Sequence, residues 1–167
     1  MEVIYKTNIS DKAKSFIDKT LNQYNVESLE SIELKRVSKV GTSGLCFYPI
    51  STRKVNKFKK LGRKLKARKY YHIICRVGED TKYPYEERQY IGCQVPRNYI
   101  GNPSLLPREA LEWIYDQEIC NSEDELMIWV FGHEIFHFLR KTKQVPGRNT
   151  QSQANKFGFE LLRKYKS

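Results

Sequence analysis

The four cysteines of this 167-residue chain form no C-x-x-C pair and no tight framework, so neither a disulfide scaffold nor a cysteine redox motif is legible. Cys46, Cys75, Cys93 and Cys120 each sit in or beside an apolar run and read as reduced, partly buried thiols. The N-terminus, "MEVIYKTNISDKAK", lacks the apolar core of a secretory signal. No run approaches the length of a membrane span. These absences point to a reducing, cytoplasmic compartment and to no membrane partner. There is no internal repeat and no low-complexity linker, so residues 1–167 read as one domain, long enough to bury a core without staples.

One absence is local. From Arg53 to Lys69 there is no acidic residue, while Arg53, Lys54, Lys57, Lys59, Lys60, Arg63, Lys64, Lys66, Arg68 and Lys69 are all basic. Over the whole chain thirty Lys and Arg face nineteen Asp and Glu, a net charge of +11. A field of this kind attracts DNA or RNA, acidic proteins or anionic lipid; the alternative is a solvated face with no partner. The segment reads either as an amphipathic helix on Val55, Phe58, Leu61 and Leu65 or as an ordered loop broken at Gly62.

Along the chain, "ISDKAKSFIDKTLNQY" predicts an opening helix, capped by Ser10 or Asp11, with Ala13, Phe16, Ile17 and Leu21 at helical spacing. "SIELKRVSKV" and "GLCFYPI" read as strands. "KYYHIICRVGE" and "RQYIGCQVP" have the strongest strand composition, and the polar connection "DTKYPYEE" suits a hairpin of residues 70–79 and 88–95. "PSLLPREALEWIYDQE" predicts a helix from about Pro107. Ser122 followed by three acids opens a helix running to Lys141, "KQVPGRNT" is a turn, and "TQSQANKFGFELLRKY" is a final helix. The order is that of an α+β fold with a small, mainly antiparallel sheet, an N-terminal helix, a central helix and a C-terminal helix.

The helix from Glu123 to Lys141 is apolar nearly all round, which places it in the middle of the domain. Within it "GHEIFH" puts His133 and His137 four residues apart, on one helical face. Both imidazoles can then converge on one zinc at about 2.0–2.1 Å, while Glu134, one step round, can reach a water as general base without ligating. The bland alternative is a buried helix with two satisfied core histidines. Gly132 costs about 1 kcal/mol against alanine in a helix; either a close approach by sheet backbone or substrate explains it, or it is merely tolerated. His72 reads as structural, because strand alternation sets it on the face opposite Tyr71 and Ile73.

"GHEIFHFLRK", a turn and then "QSQANKFGFELL" resembles the gluzincin metallopeptidases, and in particular the ImmA/IrrE-type proteins. In these the H-E-x-x-H helix is followed by one reading roughly E-x-x-A-N-x-F-A-x-x-L-L. Ala154, Asn155, Phe157, Leu161 and Leu162 match it, with Gly158 at the small-residue position, and the likeness spans about residues 122–165. It implies a zincin-like domain in which His133 and His137 bind Zn²⁺ and Glu134 is the base. It also implies a third ligand three residues before the alanine, where this chain has Gln151 instead of glutamate. Gln151 serves through its amide oxygen, or another carboxylate such as Glu160 substitutes, or catalysis is lost.

Two functions follow as expectations. One is a cytoplasmic zinc endopeptidase that takes a protein or peptide along the edge of the 70–79/88–95 hairpin and acts on a nucleic-acid-associated protein. The other is a non-catalytic metallopeptidase-like module that binds nucleic acid or regulates.

Overall fold

A computed structural model describes residues 1–60 and 66–167, the side chain of Phe58 excepted. Its strands and helices run β1 (Glu2–Lys6), α1 (Asp11–Leu21), β2 (Leu29–Val37), β3 (Thr42–Phe47), α2 (Thr52–Lys59), β4 (Tyr71–Gly78), β5 (Tyr85–Gln94), β6 (Glu112–Cys120), α3 (Glu123–Lys141) and α4 (Gln151–Lys166). The architecture is α+β, as the element order predicts.

The main sheet has the order β1-β2-β4-β3. Alternation decides which way it faces. In β4, Ile73, Cys75 and Val77 are buried against the helices while His72, Ile74 and Arg76 stay half-exposed on the other face. The sheet is mixed, not mainly antiparallel: β1 and β4 each pair with β2 in parallel, and only β3 runs antiparallel to its neighbour. Strand β1 has no counterpart in the sequence reading.

The hairpin expected from residues 70–79 and 88–95 does not form. β2 and β3 occupy both edges of β4, so no edge remains for β5, which pairs instead with β6 in a separate two-stranded ribbon. The helix expected from Pro107 is likewise absent. Only short 3₁₀ turns at Pro103–Leu105 and Arg108–Ala110 appear, and "EWIYDQEIC" becomes β6. Trp113, Ile114 and Tyr115 are good strand formers, and β5 provides the ladder they need.

α3 lies between the sheet and α4, packing on β3 and β4 with one side and on α4 with the other. Leu126, Met127, Ile128, Phe131, Ile135 and Phe138 on it are fully buried. Each such side chain contributes roughly 1.5–3 kcal/mol over leaving it exposed. Ser122 caps the helix by accepting from the Glu125 N–H at 3.3 Å, and Arg140 and Lys141 stand at its carboxyl end. Among the described residues no helix is long and apolar enough to cross a membrane.

Candidate metal centre

α3 carries His133 and His137 on one face, and their Nε2 atoms lie 3.3 Å apart. Two imidazole nitrogens at that distance must share either one proton or one cation, since two lone pairs would repel. Two nitrogens each about 2.0–2.1 Å from a tetrahedral zinc would themselves be about 3.3 Å apart. His137 is already set for ligation through Nε2: its Nδ1 lies 2.8 Å from Asn149 Oδ1, which fixes the proton on Nδ1. The same amide donates from Nδ2 to the Tyr48 hydroxyl at 3.4 Å, so its orientation suits both partners.

Burial, then the neighbouring His137, push His133 down to about 4, while the amides of Gln151 and Asn155 pull the other way. The imidazole is therefore neutral at ordinary pH, the form that ligates metals. Its Nδ1 is buried without a hydrogen-bond partner. Gln151, the first residue of α4, lines the same cleft as the two histidines. Its helix is capped by Thr150, whose hydroxyl accepts from the Gln153 N–H at 3.3 Å. Among the described residues no three His, Cys, Asp or Glu side chains converge as a metal-ligand group. Beside the two imidazoles the cleft offers the amide side chains of Gln151 and Asn155, both of which reach His133, so the side chains able to complete a metal site here are neutral. Glu160, the substitute considered from sequence, is exposed and two turns further along α4, outside the cleft.

Glu134 is 5% exposed, with Oε1 3.9 Å from His133 Nε2. Burial pushes its carboxyl up to about 7 against the attraction of Arg76. A group with that affinity both accepts and releases a proton near neutrality. Its place under β3 depends on Gly44, where a Cβ would fall 2.3 Å from both Cγ and Oε1 of Glu134. Glycine in a strand here marks a close approach. β3 forms one wall of a cleft of about 510 Å³ whose floor is His133, Glu134 and His137, and β3 is also one of the two edge strands of the sheet, β1 being the other. Cys46 on the same strand is held as a neutral thiol, its pKa pushed up to about 12 by burial and by Glu134.

Gly132 is explained by α4, not by sheet or substrate. A Cβ on it would lie 3.0 Å from Gly158 Cα, and one on Gly158 would lie 2.9 Å from the Trp129 carbonyl oxygen. The two glycines let α3 and α4 touch backbone to backbone, which brings the start of α4 to the histidines. Asn155, buried on α4, donates to the Tyr90 carbonyl at 2.7 Å and ties that helix to β5. Gly44, Asn149 and Tyr48 were not singled out for the site from sequence, and Asn155 entered only as a match to the resembling family's second helix.

His72 stands apart, its Nδ1 2.6 Å from Ser31 Oγ and its ring stacked on Phe47. The basic residues also lie outside the cleft. Arg53, Lys54, Lys57 and Lys59 are exposed on α2, followed by exposed Lys60, Lys66 and Lys69 and half-exposed Arg68. Leu61, Gly62, Arg63, Lys64 and Leu65 lie outside the described residues.

Comparison with protein-family models, with curated proteins and with solved structures found no match to this chain.

Proposed function

We propose that the chain is a zinc-dependent endopeptidase of the ImmA/IrrE-like kind, working in the cytoplasm, where its four free cysteines would stay reduced. The observation that carries this reading is the 3.3 Å approach of the His133 and His137 Nε2 atoms beside buried Glu134 on a cleft floor. His133, His137 and Gln151 would hold the metal. Bound zinc would supply Lewis-acid activation of water or of the scissile carbonyl. Glu134 takes the proton of the attacking water and passes it to the departing amine as the C–N bond breaks. Asn149 keeps His137 in the Nδ1–H tautomer. Tyr48, whose pKa is raised by burial, remains a phenol able to donate to the developing oxyanion.

The substrate is a protein or peptide in extended form, hydrogen-bonded to the open edge of β3 directly over Glu134. That edge takes the role first assigned to the hairpin. The test is metal content and peptide cleavage together. About one zinc per chain is expected, lost in His133→Ala and in His137→Ala and kept in Glu134→Gln, which also stops cleavage of a mixed peptide substrate. Metal retained in both histidine variants overturns the reading.

A second reading, a binding module without catalysis, is favoured by one observation: no carboxylate joins the two histidines in a ligand group among the described residues. A zinc-loaded wild-type chain that cleaves no member of a broad peptide mixture would establish it.

A further inference from the structure

The net charge of +11 has one address. Ten of the thirty Lys and Arg fall within 53–69, so the other twenty are almost balanced by the nineteen Asp and Glu. From Leu34 to Gly78 the sequence has no acidic residue at all. The charged partners that neutralise Lys35 and Arg36 are Glu33 and Glu123. None of the ion pairs among the described residues involves Arg53, Lys57, Lys59, Lys60, Lys66, Arg68 or Lys69. Solubility does not require all excess charge in one segment.

α2 presents that charge openly. Of its described side chains only Val55 is even half-buried. Arg53, Lys57 and, one residue past the helix, Lys60 follow at spacings of four and three, which sets them on one face with about 10 Å of rise between first and last. The segment is moored at its base. Ile50 and Arg68 pair through reciprocal backbone hydrogen bonds of 2.9 and 3.0 Å, and the Arg68 guanidinium lies 4.2 Å from the Phe47 ring centroid.

We infer that this face binds the phosphate backbone of duplex DNA, without regard to sequence. Protein interfaces are depleted in lysine and centre on buried apolar or aromatic anchors, whereas the face of Arg53, Lys57 and Lys60 offers exposed cations. Protein–DNA interfaces are strongly positive and polar. B-DNA carries one negative charge per roughly 1.7 Å of axis, so a 10 Å row of three cations finds phosphates whatever the bases. The inference does not rest on the metal or on peptidase activity.

The test is fluorescence anisotropy of the full chain with a duplex of arbitrary sequence, from low to physiological salt. Wild type should bind at low salt, and with three phosphates contacted should weaken by about 40-fold for a fourfold rise in salt. Replacing Arg53, Lys57 and Lys60 together by Gln should weaken low-salt binding at least tenfold and lower the slope of log K against log salt by about 2.7, or 0.9 per contact. Replacing exposed Lys19, Lys156 and Lys164 by Gln removes equal charge from α1 and α4 and should change neither quantity much. Lys57→Gln alone should lower the slope by about 0.9, and an unchanged circular-dichroism spectrum of the first triple guards against misfolding of α2. Glu134→Gln should bind DNA as wild type does. The same salt series is run with anionic vesicles and with an acidic peptide; no DNA binding at low salt, equal weakening by both triples, or a loss in the Arg53, Lys57 and Lys60 triple seen only with vesicles or peptide overturns the inference.

Discussion

Gly44 and Glu134 touch: the place a Cβ would take on Gly44 is 2.3 Å from the Glu134 carboxylate oxygen. The open strand that would take a substrate and the carboxyl that would move its protons are therefore in van der Waals contact, and the missing side chain is what allows it.

Gly44→Ala should accordingly displace Glu134 and leave the histidines alone. An ångström of misplacement in a reacting group costs about 10²-fold in rate. Peptide cleavage should fall by that order while zinc content stays at the wild-type level. Loss of zinc, or unchanged cleavage, would show that Glu134 does not depend on the space at Gly44.

Asn149 should act on the metal through His137. Its Oδ1 accepts from Nδ1 at 2.8 Å, and outer-shell partners of this kind are worth about 10–100-fold in metal affinity. Chelator competition should show Asn149→Ala weaker by that factor. Asn149→Asp should hold zinc at least as tightly as wild type, because a carboxylate makes the imidazole a better donor. Equal affinity in all three proteins would make the contact incidental.

What the sequence made legible was what is local. α3 is marked at both ends, by Ser122 with its acids and by Arg140 with Lys141, and its apolar girth alone assigns it to the middle. α4, Gln151–Lys166, falls where "TQSQANKFGFELLRKY" places a final helix. The errors sit where a distant partner decides. Residues 112–120 become a strand because β5 lies alongside, and β4 rejects β5 because its edges were already filled from elsewhere. In the same way the histidines and their glutamate are readable from one helix. Gly44 belongs to the site only because β3 crosses α3, and Asn149 only because the turn after α3 folds back on it.

The ribbon of β5 and β6 should be held to α4 in a pH-dependent way. Arg163 donates to Asp116 at 2.6 and 2.9 Å and to Glu118 at 2.6 Å. The Arg163 hydrogen bonds hold the Asp116 carboxyl below the usual carboxylate range, helped by the Gln117 N–H. A depressed folded-state pKa stabilises above the unfolded value of about 3.9 and ceases to do so as pH falls through the folded value. The Arg163 side chain is 44% exposed, so after screening the pair is worth about 0.5–1 kcal/mol. Denaturant titrations should find Asp116→Asn less stable than wild type by that amount at pH 7 and equal to it well below pH 3.9. A difference that persists in acid would come from lost packing instead.

On the proposed zinc site, Gln151 should decide how tightly the ion is held. It opens α4, faces the histidines across the cleft, and brings an amide oxygen where the resembling peptidases carry a carboxylate. The proposed ligand set would then be neutral. A carboxylate adds direct attraction for Zn²⁺ as well as stronger donation, so Gln151→Glu should raise affinity and Gln151→Ala should lower it. Activity is the poorer readout. A third anion makes the metal a weaker Lewis acid and leaves its water harder to deprotonate, so tighter binding and slower chemistry can arrive together. Affinity has one expected direction for each substitution. A competition titration against a chelator, run on the three proteins at one pH, should order them Glu, Gln, Ala from tightest to weakest. Equal affinities would remove residue 151 from the ligand set and leave the two imidazoles to be completed by a group outside α4.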